Sequence, residues 1–346
     1  MQLRYFCPLA AVLAAGLMAL SPPSAKAQTV SDPAIQQTLN RIGADLFSPS
    51  PNAAAAITEL KAILAVEPEL AEAHMLLGIA YRAEGSPDLM GQAIAELRQA
   101  LGLKPSLGVA RLALARLYLD VSRAARAREE LDLALEQAPG HPYLLSLLGE
   151  AERQLGDPKR SVELNGQALK ADPNFMQARY YRAVALLESG ASADAISDFQ
   201  VVVKSGMNPS EANLGLGTAY LQAGRVDDAI APLREAARAD PSRLEAHIQL
   251  SRAYRSKGLL AEADKALALA MKATPPGSTA VDHTLLPDLY MEEGFVRMEQ
   301  GRLEEAAESF GKVLAADASH EPATQATAEV QKRIKERARR KPGPRS

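Results

Sequence analysis

The sequence predicts an all-α solenoid, about eight antiparallel helix hairpins in a row with a C-terminal capping helix. Two observations predict it. Landmark residues recur every 34 positions: Gly156, Gly190, Gly224 and Gly258 form one series, Pro105, Pro139 and Pro173 a second, and Ala195, Ala229 and Ala263 a third. Between the landmarks, apolar residues fall at helical spacing. In the stretch from Ser210 to Arg243, Leu214, Leu216, Gly217, Ala219 and Tyr220 share the first half, and Ala229, Ile230, Leu233, Ala236 and Ala237 the second. Gly224 stands where a helix C-terminal glycine belongs, and Asp240-Pro241 stops the second helix because the residue before proline is pushed out of the α region.

The first 27 residues form a separate segment. Arg4 opens it, Phe6 to Leu20 is almost unbroken apolar sequence, and Ala25-Lys26-Ala27 offers an A-x-A cleavage site before Gln28. That run is short against the roughly 20 residues a membrane span needs, and Pro8 interrupts it. The expectation is a signal peptide at 1–27 and an exported chain, periplasmic or secreted, soluble after cleavage. Cys7 is the single cysteine and lies in that segment, so the mature chain has no thiol for a disulfide or a metal.

Residues 28–36 read as a polar lead-in. Copies then begin near Gln37, Ala71, Gly108, Pro142, Met176, Ser210, Leu244 and Pro287, filling 37–320. Pro68 to Pro105 spans 37 residues instead of 34, and the surplus is assigned to the Gly85-Ser86-Pro87-Asp88 turn. A longer insert beginning at Pro275 loosens the joint before the last copy. Pro232, inside a second helix, predicts a slight kink or a late start. Pro49 and Pro51 predict a short first helix in the first copy. Residues 321–346 read as a capping helix over Pro322 to Arg340 and a basic tail. With +7 at 331–346, +2 at 1–27 and −3 overall, residues 28–330 carry −12.

A 34-residue period holding Leu216-Gly217, Tyr220, Gly224, Ala229, Ala236 and Asp240-Pro241 in register resembles the tetratricopeptide repeat family. The resemblance implies a right-handed α-solenoid in which Gly217 and Ala229 let two helices approach while Leu216, Tyr220 and Leu233 fill the space between them. The aromatic slot departs from the family pattern at Glu152, Leu186 and Arg297.

Chemistry leaves little trace. There is no Trp, no H-E-x-x-H, no G-x-S-x-G and no phosphate-binding G-x-x-x-x-G-K-[ST]. The five histidines are scattered by the repeat register. His74 and His247 occupy the same slot of their copies, where partial burial between helices is the expected role. The reading is a non-enzyme with no cofactor and no metal site.

Surfaces say more. The resemblance implies that slots two, five, nine and twelve of each first helix line a concave groove. Here those slots hold Met75, Ile79 and Arg82, then Leu112, Arg116 and Leu119, then Tyr143, Glu150 and Arg153, then Tyr180, Val184 and Leu187. Later copies supply Leu214, Thr218 and Leu221, then Ile248, Arg252 and Arg255, then Met291, Phe295 and Met298. An exposed apolar strip with interspersed arginine suggests a site for a peptide or protein with acidic flanks. Two alternatives stand beside it: the apolar residues pack between neighbouring copies, and the arginines pair with repeat glutamates such as Glu72, Glu150 or Glu245. The family's Lys and Asn clamp for chaperone tails has no matching set here. The functional expectation is an interaction scaffold for a protein or peptide, without nucleic acid or small-molecule substrate. The alternative is a structural component of an envelope assembly or secretion machine docked on an anionic surface through the basic tail.

Overall fold

The computed structural model describes residues 32–273 and 283–340. The signal segment and its cleavage site, the first four residues of the lead-in, the insert from Pro275 to 282 and the tail beyond Arg340 lie outside the described residues. Among the described residues every regular element is helical, and no helix is long and apolar enough to cross a membrane.

Two compact units divide at Ser189 and Gly190, in the turn of the fifth copy. The first unit holds α1 (Pro33–Leu46), α2 (Ala53–Val66), α3 (Ala71–Glu84), α4 (Pro87–Leu103), α5 (Gly108–Asp120), α6 (Ala124–Gln137), α7 (Pro142–Gln154), α8 (Pro158–Ala171) and α9 (Met176–Glu188). The second holds α10 (Ser192–Ser205), α11 (Pro209–Gln222), α12 (Val226–Ala239), α13 (Leu244–Ser256), α14 (Leu260–Ala273), a 3-10 turn at His283–Leu285, α15 (Leu286–Glu299), α16 (Leu303–Ala316) and α17 (Glu321–Arg340). From the second copy onward, each first helix starts within one residue of the position its register predicts. In each unit, sequence neighbours pack as hairpins and first helices also pack on first helices, α3 on α5 on α7 on α9, and α11 on α13 on α15.

Small residues set those contacts. A Cβ added at Gly217 on α11 would lie 2.4 Å from Leu233 Cγ on α12, and one at Gly294 on α15 would lie 2.4 Å from the Phe310 ring on α16. No side chain fits there unless the facing Leu233 or Phe310 side chain shifts. In the first unit Leu60, Leu97, Leu131 and Leu147 are fully buried in one continuous core, and in the second Leu267 and Leu289 anchor one cluster and Phe310 and Val313 another.

Neighbouring copies are also stitched by a recurring polar contact. The fourth residue of a first helix reaches back six residues to the carbonyl of the closing proline: His74 Nε2 to Pro68 at 2.8 Å, Arg111 Nη2 to Pro105 at 3.1 Å, Arg179 Nη2 to Pro173 at 2.8 Å and His247 Nε2 to Pro241 at 3.1 Å. These side chains satisfy a turn carbonyl that no helix can reach. They also explain why two histidines share a slot.

Two local expectations are corrected and a third is narrowed. The surplus residues of the second copy lie inside α4, which is 17 residues long, and not in the turn, because Pro87 sits at the first helical position where its missing N–H costs nothing. Helix α1 is not short: it runs 14 residues from Pro33, earlier than Gln37, because the Asp32 carboxylate accepts from Ala34 N at 2.9 Å. Helix α12 starts at Val226, ahead of Pro232, so there is no late start. The capping helix is present as α17, with Ala323, Ala326 and Val330 buried on its inner side.

Candidate functional site

In the first unit, α5, α7 and α9 wall a cavity of about 320 Å³. The ninth slot of three successive first helices supplies Arg116, Glu150 and Val184, and the twelfth supplies Leu119 and Arg153. Helical periodicity places slots nine and twelve on one face, so stacking the copies aligns them. Asp120 and Gln154, each at slot thirteen, and the Tyr180-Tyr181 pair on α9 complete the lining.

The polar floor is firmly held. Arg116, 6% exposed, donates from Nη1 to Tyr143 Oη at 2.7 Å. Arg153 donates from Nε and Nη2 to both carboxylate oxygens of Glu150, at 2.8 and 2.7 Å, and from Nη1 to Glu188 on α9 at 2.6 Å. Those bonds to Glu150, joined by the nearby carboxylate charges, hold the Arg153 guanidinium above its ordinary pKa despite burial. Gln154 Nε2 adds a bond to Glu150 Oε1 at 2.9 Å, and Arg82 Nε donates to Asp120 at 2.6 Å. Burial pushes the Tyr181 hydroxyl pKa up against the pull of the Arg116 charge. Its oxygen accepts from Gln177 Nε2 at 3.1 Å.

Ser122 stands at the rim, in the slot that other copies give to Gly85, Gly156, Gly224 or Gly258. Like those glycines it has positive φ, here 56°. A side chain in that region carries strain that glycine avoids.

The second unit repeats the pairing. Arg255 on α13 donates to both oxygens of Glu292 on α15 at 2.9 and 3.1 Å and to Glu299 at 3.0 Å, with its guanidinium 5.3 Å from the Phe295 ring centroid. Arg252 lies 3.8 Å from Glu292 and 3.6 Å from Asp288. Burial alone would lower the pKa of Arg255, but Glu292 and Glu299 outweigh it and raise it. A common rule emerges: the arginine at slot twelve reaches the carboxylate at slot thirteen of the next first helix, as in Arg82–Asp120, Arg153–Glu188 and Arg255–Glu299.

These placements revise the expected strip. Leu112, Leu119, Ile248 and Met291 are buried core residues, together with Tyr143 and Leu214, because adjacent first helices cover them. Met75, Ile79, Tyr180, Leu221, Phe295 and Met298 are half-buried, so no residue of the expected site is fully exposed. Arg82, Arg153, Arg252 and Arg255 hold carboxylates of their own chain, and Arg116 holds a phenol, so they do not stand ready for a partner's acids. Of the expected residues, Arg116, Leu119, Arg153 and Tyr180 meet in the cavity; Arg252, Arg255, Phe295 and Met298 lie in the other unit. Asp120, Gln154 and Tyr181 were missed, although each directly follows a slot residue. Among the described residues no group of three or more His, Cys, Asp or Glu can hold a metal.

A family model described as a tetratricopeptide repeat matches residues 52–108, 146–212 and 214–278, and a second model of the same description matches 90–151. Among solved structures, the human IFIT1 dimer with m7Gppp-AAAA is similar with a TM-score of 0.61 at 14% identity, over 82% of this chain and 69% of that one. A tetratricopeptide repeat protein from Parabacteroides merdae aligns with a TM-score of 0.55 at 16% identity, over 75% and 98%. The APC/C hetero-tetramer Cut9-Hcn1 aligns with a TM-score of 0.58 at 17% identity, over 66% of this chain and only 44% of that chain's length. A comparison with curated proteins returns no match.

Proposed function

Because the chain belongs to the tetratricopeptide repeat family, whose members are generally non-catalytic interaction scaffolds, we propose that it is itself a non-enzymatic scaffold that holds a protein segment against α5, α7 and α9. The observation that carries this reading is the cavity there, which the ninth and twelfth slots of three consecutive copies build together. Its charged floor is locked by hydrogen bonds, so a guest meets donors and acceptors already oriented and loses little in ordering them. Aromatic and aliphatic walls from Tyr180, Leu119 and Val184 supply the apolar part of the contact. Export through the segment 1–27 is part of the proposal and rests on the sequence alone.

The test is affinity capture from fractions of the producing cell with the wild-type chain and with Val184→Arg, which fills the cavity from one wall. A partner retained by the wild type and lost by the variant supports the reading. Equal retention of every captured protein would move the site elsewhere.

One observation favours a second role. On α17, Lys332, Arg333, Lys335, Arg337 and Arg339 are all exposed against Glu336 in the same stretch. Such a cationic helix end suits an anionic surface and would anchor the scaffold to an envelope assembly. Loss of surface association on deleting residues 331–346 is the expected outcome if it does.

A further inference from the structure

We propose that the cavity of α5, α7 and α9 is a subsite for one uncharged side chain that both donates and accepts hydrogen bonds, asparagine or glutamine, and that it rejects charged residues. This rests on the reading above that a protein segment binds here, and it adds the chemistry of the residue inserted.

Charge balance is the ground for it. Two arginines, Arg116 and Arg153, and two carboxylates, Asp120 and Glu150, line the cavity. Just outside it the network continues with Arg82 on Asp120 and Glu188 on Arg153, again one of each sign. Arg116 and Glu150 are more than nine-tenths buried. A guest carboxylate would stand among Asp120 and Glu150, and a guest ammonium against Arg116 and Arg153. Either leaves one charge uncompensated in a poorly solvated place, where its desolvation is not recovered.

A purely apolar guest fails for another reason, since it covers charged groups and returns no hydrogen bonds for the water it removes. A carboxamide avoids both costs. Its oxygen accepts from guanidinium N–H groups, its nitrogen donates to carboxylate oxygens, and it carries no charge. Its short aliphatic stem lies against Leu119, Val184 and the Tyr180 ring. Acid-flanked ligands, which free arginines would suit, are not what this floor accepts.

A random peptide library displayed on phage and selected on the immobilised chain tests this. Wild type is expected to enrich Asn or Gln at one position about tenfold over Asp, Glu, Lys and Arg, the ratio that ~1.4 kcal/mol carries. Asp120→Asn and Glu150→Gln, each checked for native circular dichroism, leave a net positive lining and are expected to shift that position to Asp or Glu. Asp120 is exposed at the rim, so its variant serves if Glu150→Gln does not fold. Enrichment of a charged or wholly apolar residue by wild type, or an unchanged preference in the folded variants, overturns the proposal while leaving peptide binding intact. An enriched pool that binds Val184→Arg as well as wild type overturns it too, by placing the contact elsewhere. Failure to enrich any sequence sinks the binding reading and this one with it.

Discussion

Arg255 grips both carboxylate oxygens of Glu292 across the joint between α13 and α15, and Glu292 is only 2% exposed. A buried carboxylate tolerates its surroundings only while its counter-ion is there. Arg255→Ala should therefore destabilise the second unit by about 3 kcal/mol, whereas Glu299→Ala, which removes the half-exposed partner of the same arginine, should cost under about 1 kcal/mol. Chemical denaturation of the two variants checks this; equal midpoints would mean that Glu292 is better solvated than its burial indicates. Arg252 and Arg255 therefore cannot be removed together without touching the fold.

Glycines at helical positions should divide into two classes of opposite sign. Gly217→Ala places a Cβ 2.4 Å from Leu233 Cγ and should destabilise by ~1 to 3 kcal/mol. Gly166→Ala on α8 meets nothing within 4 Å and should stabilise by up to about 1 kcal/mol through helix propensity. Melting temperatures moving in the same direction would contradict the packing. Arg116→Ala is not a mild control for this comparison, as exposure would make it, because Arg116 is buried against Tyr143.

Ser122→Gly should raise stability by roughly 0.5 to 1 kcal/mol, the left-handed strain relieved less the extra entropy glycine loses on folding. Every other copy from the second to the eighth already has glycine in this slot, with φ between 70° and 89°. A fall in melting temperature on substitution would show that the serine side chain does something at the cavity rim beyond filling a turn.

Burial lowers the pKa of His247, and of His141, below the ordinary value. The folded state then favours the neutral ring, so the unfolded state binds more protons near and below pH ~6.5. Stability should be fully present above that pH and should decline as pH falls through the lower folded values. His247→Gln can still donate to the Pro241 carbonyl but does not titrate, and should flatten part of that decline. A pH profile identical to wild type would remove His247 as a contributor.

Much of the fold was legible because the repeat register is a local signal: Gly224, Asp240-Pro241 and the helical spacing of Leu214 to Ala237 each act within a few residues. Proline was the residue most easily misread. Pro87 looks like a turn residue in isolation yet opens α4, and Pro49 and Pro51 stand after a helix of full length without shortening it. At the candidate site, the slots of Arg116, Arg153 and Tyr180 were readable from position alone. Their partners were not, since Glu188 lies 35 residues from Arg153 and Glu299 lies 44 from Arg255, and no pattern within one helix announces such pairs. Exposure was misjudged where neighbouring first helices, as at Leu112 and Ile248, close over the slot.

The reach of the contacts between copies also bears on how the chain folds. The proline-carbonyl contact spans six residues, and the arginine bridges at Arg82, Arg153 and Arg255 span 38, 35 and 44. Such a topology has low contact order: each hairpin finds its neighbours within about one repeat length, and loop closure over long distances is never required. Refolding should accordingly spread outward from whichever hairpins form first, in either direction along the chain, and reach completion quickly for a protein of this size.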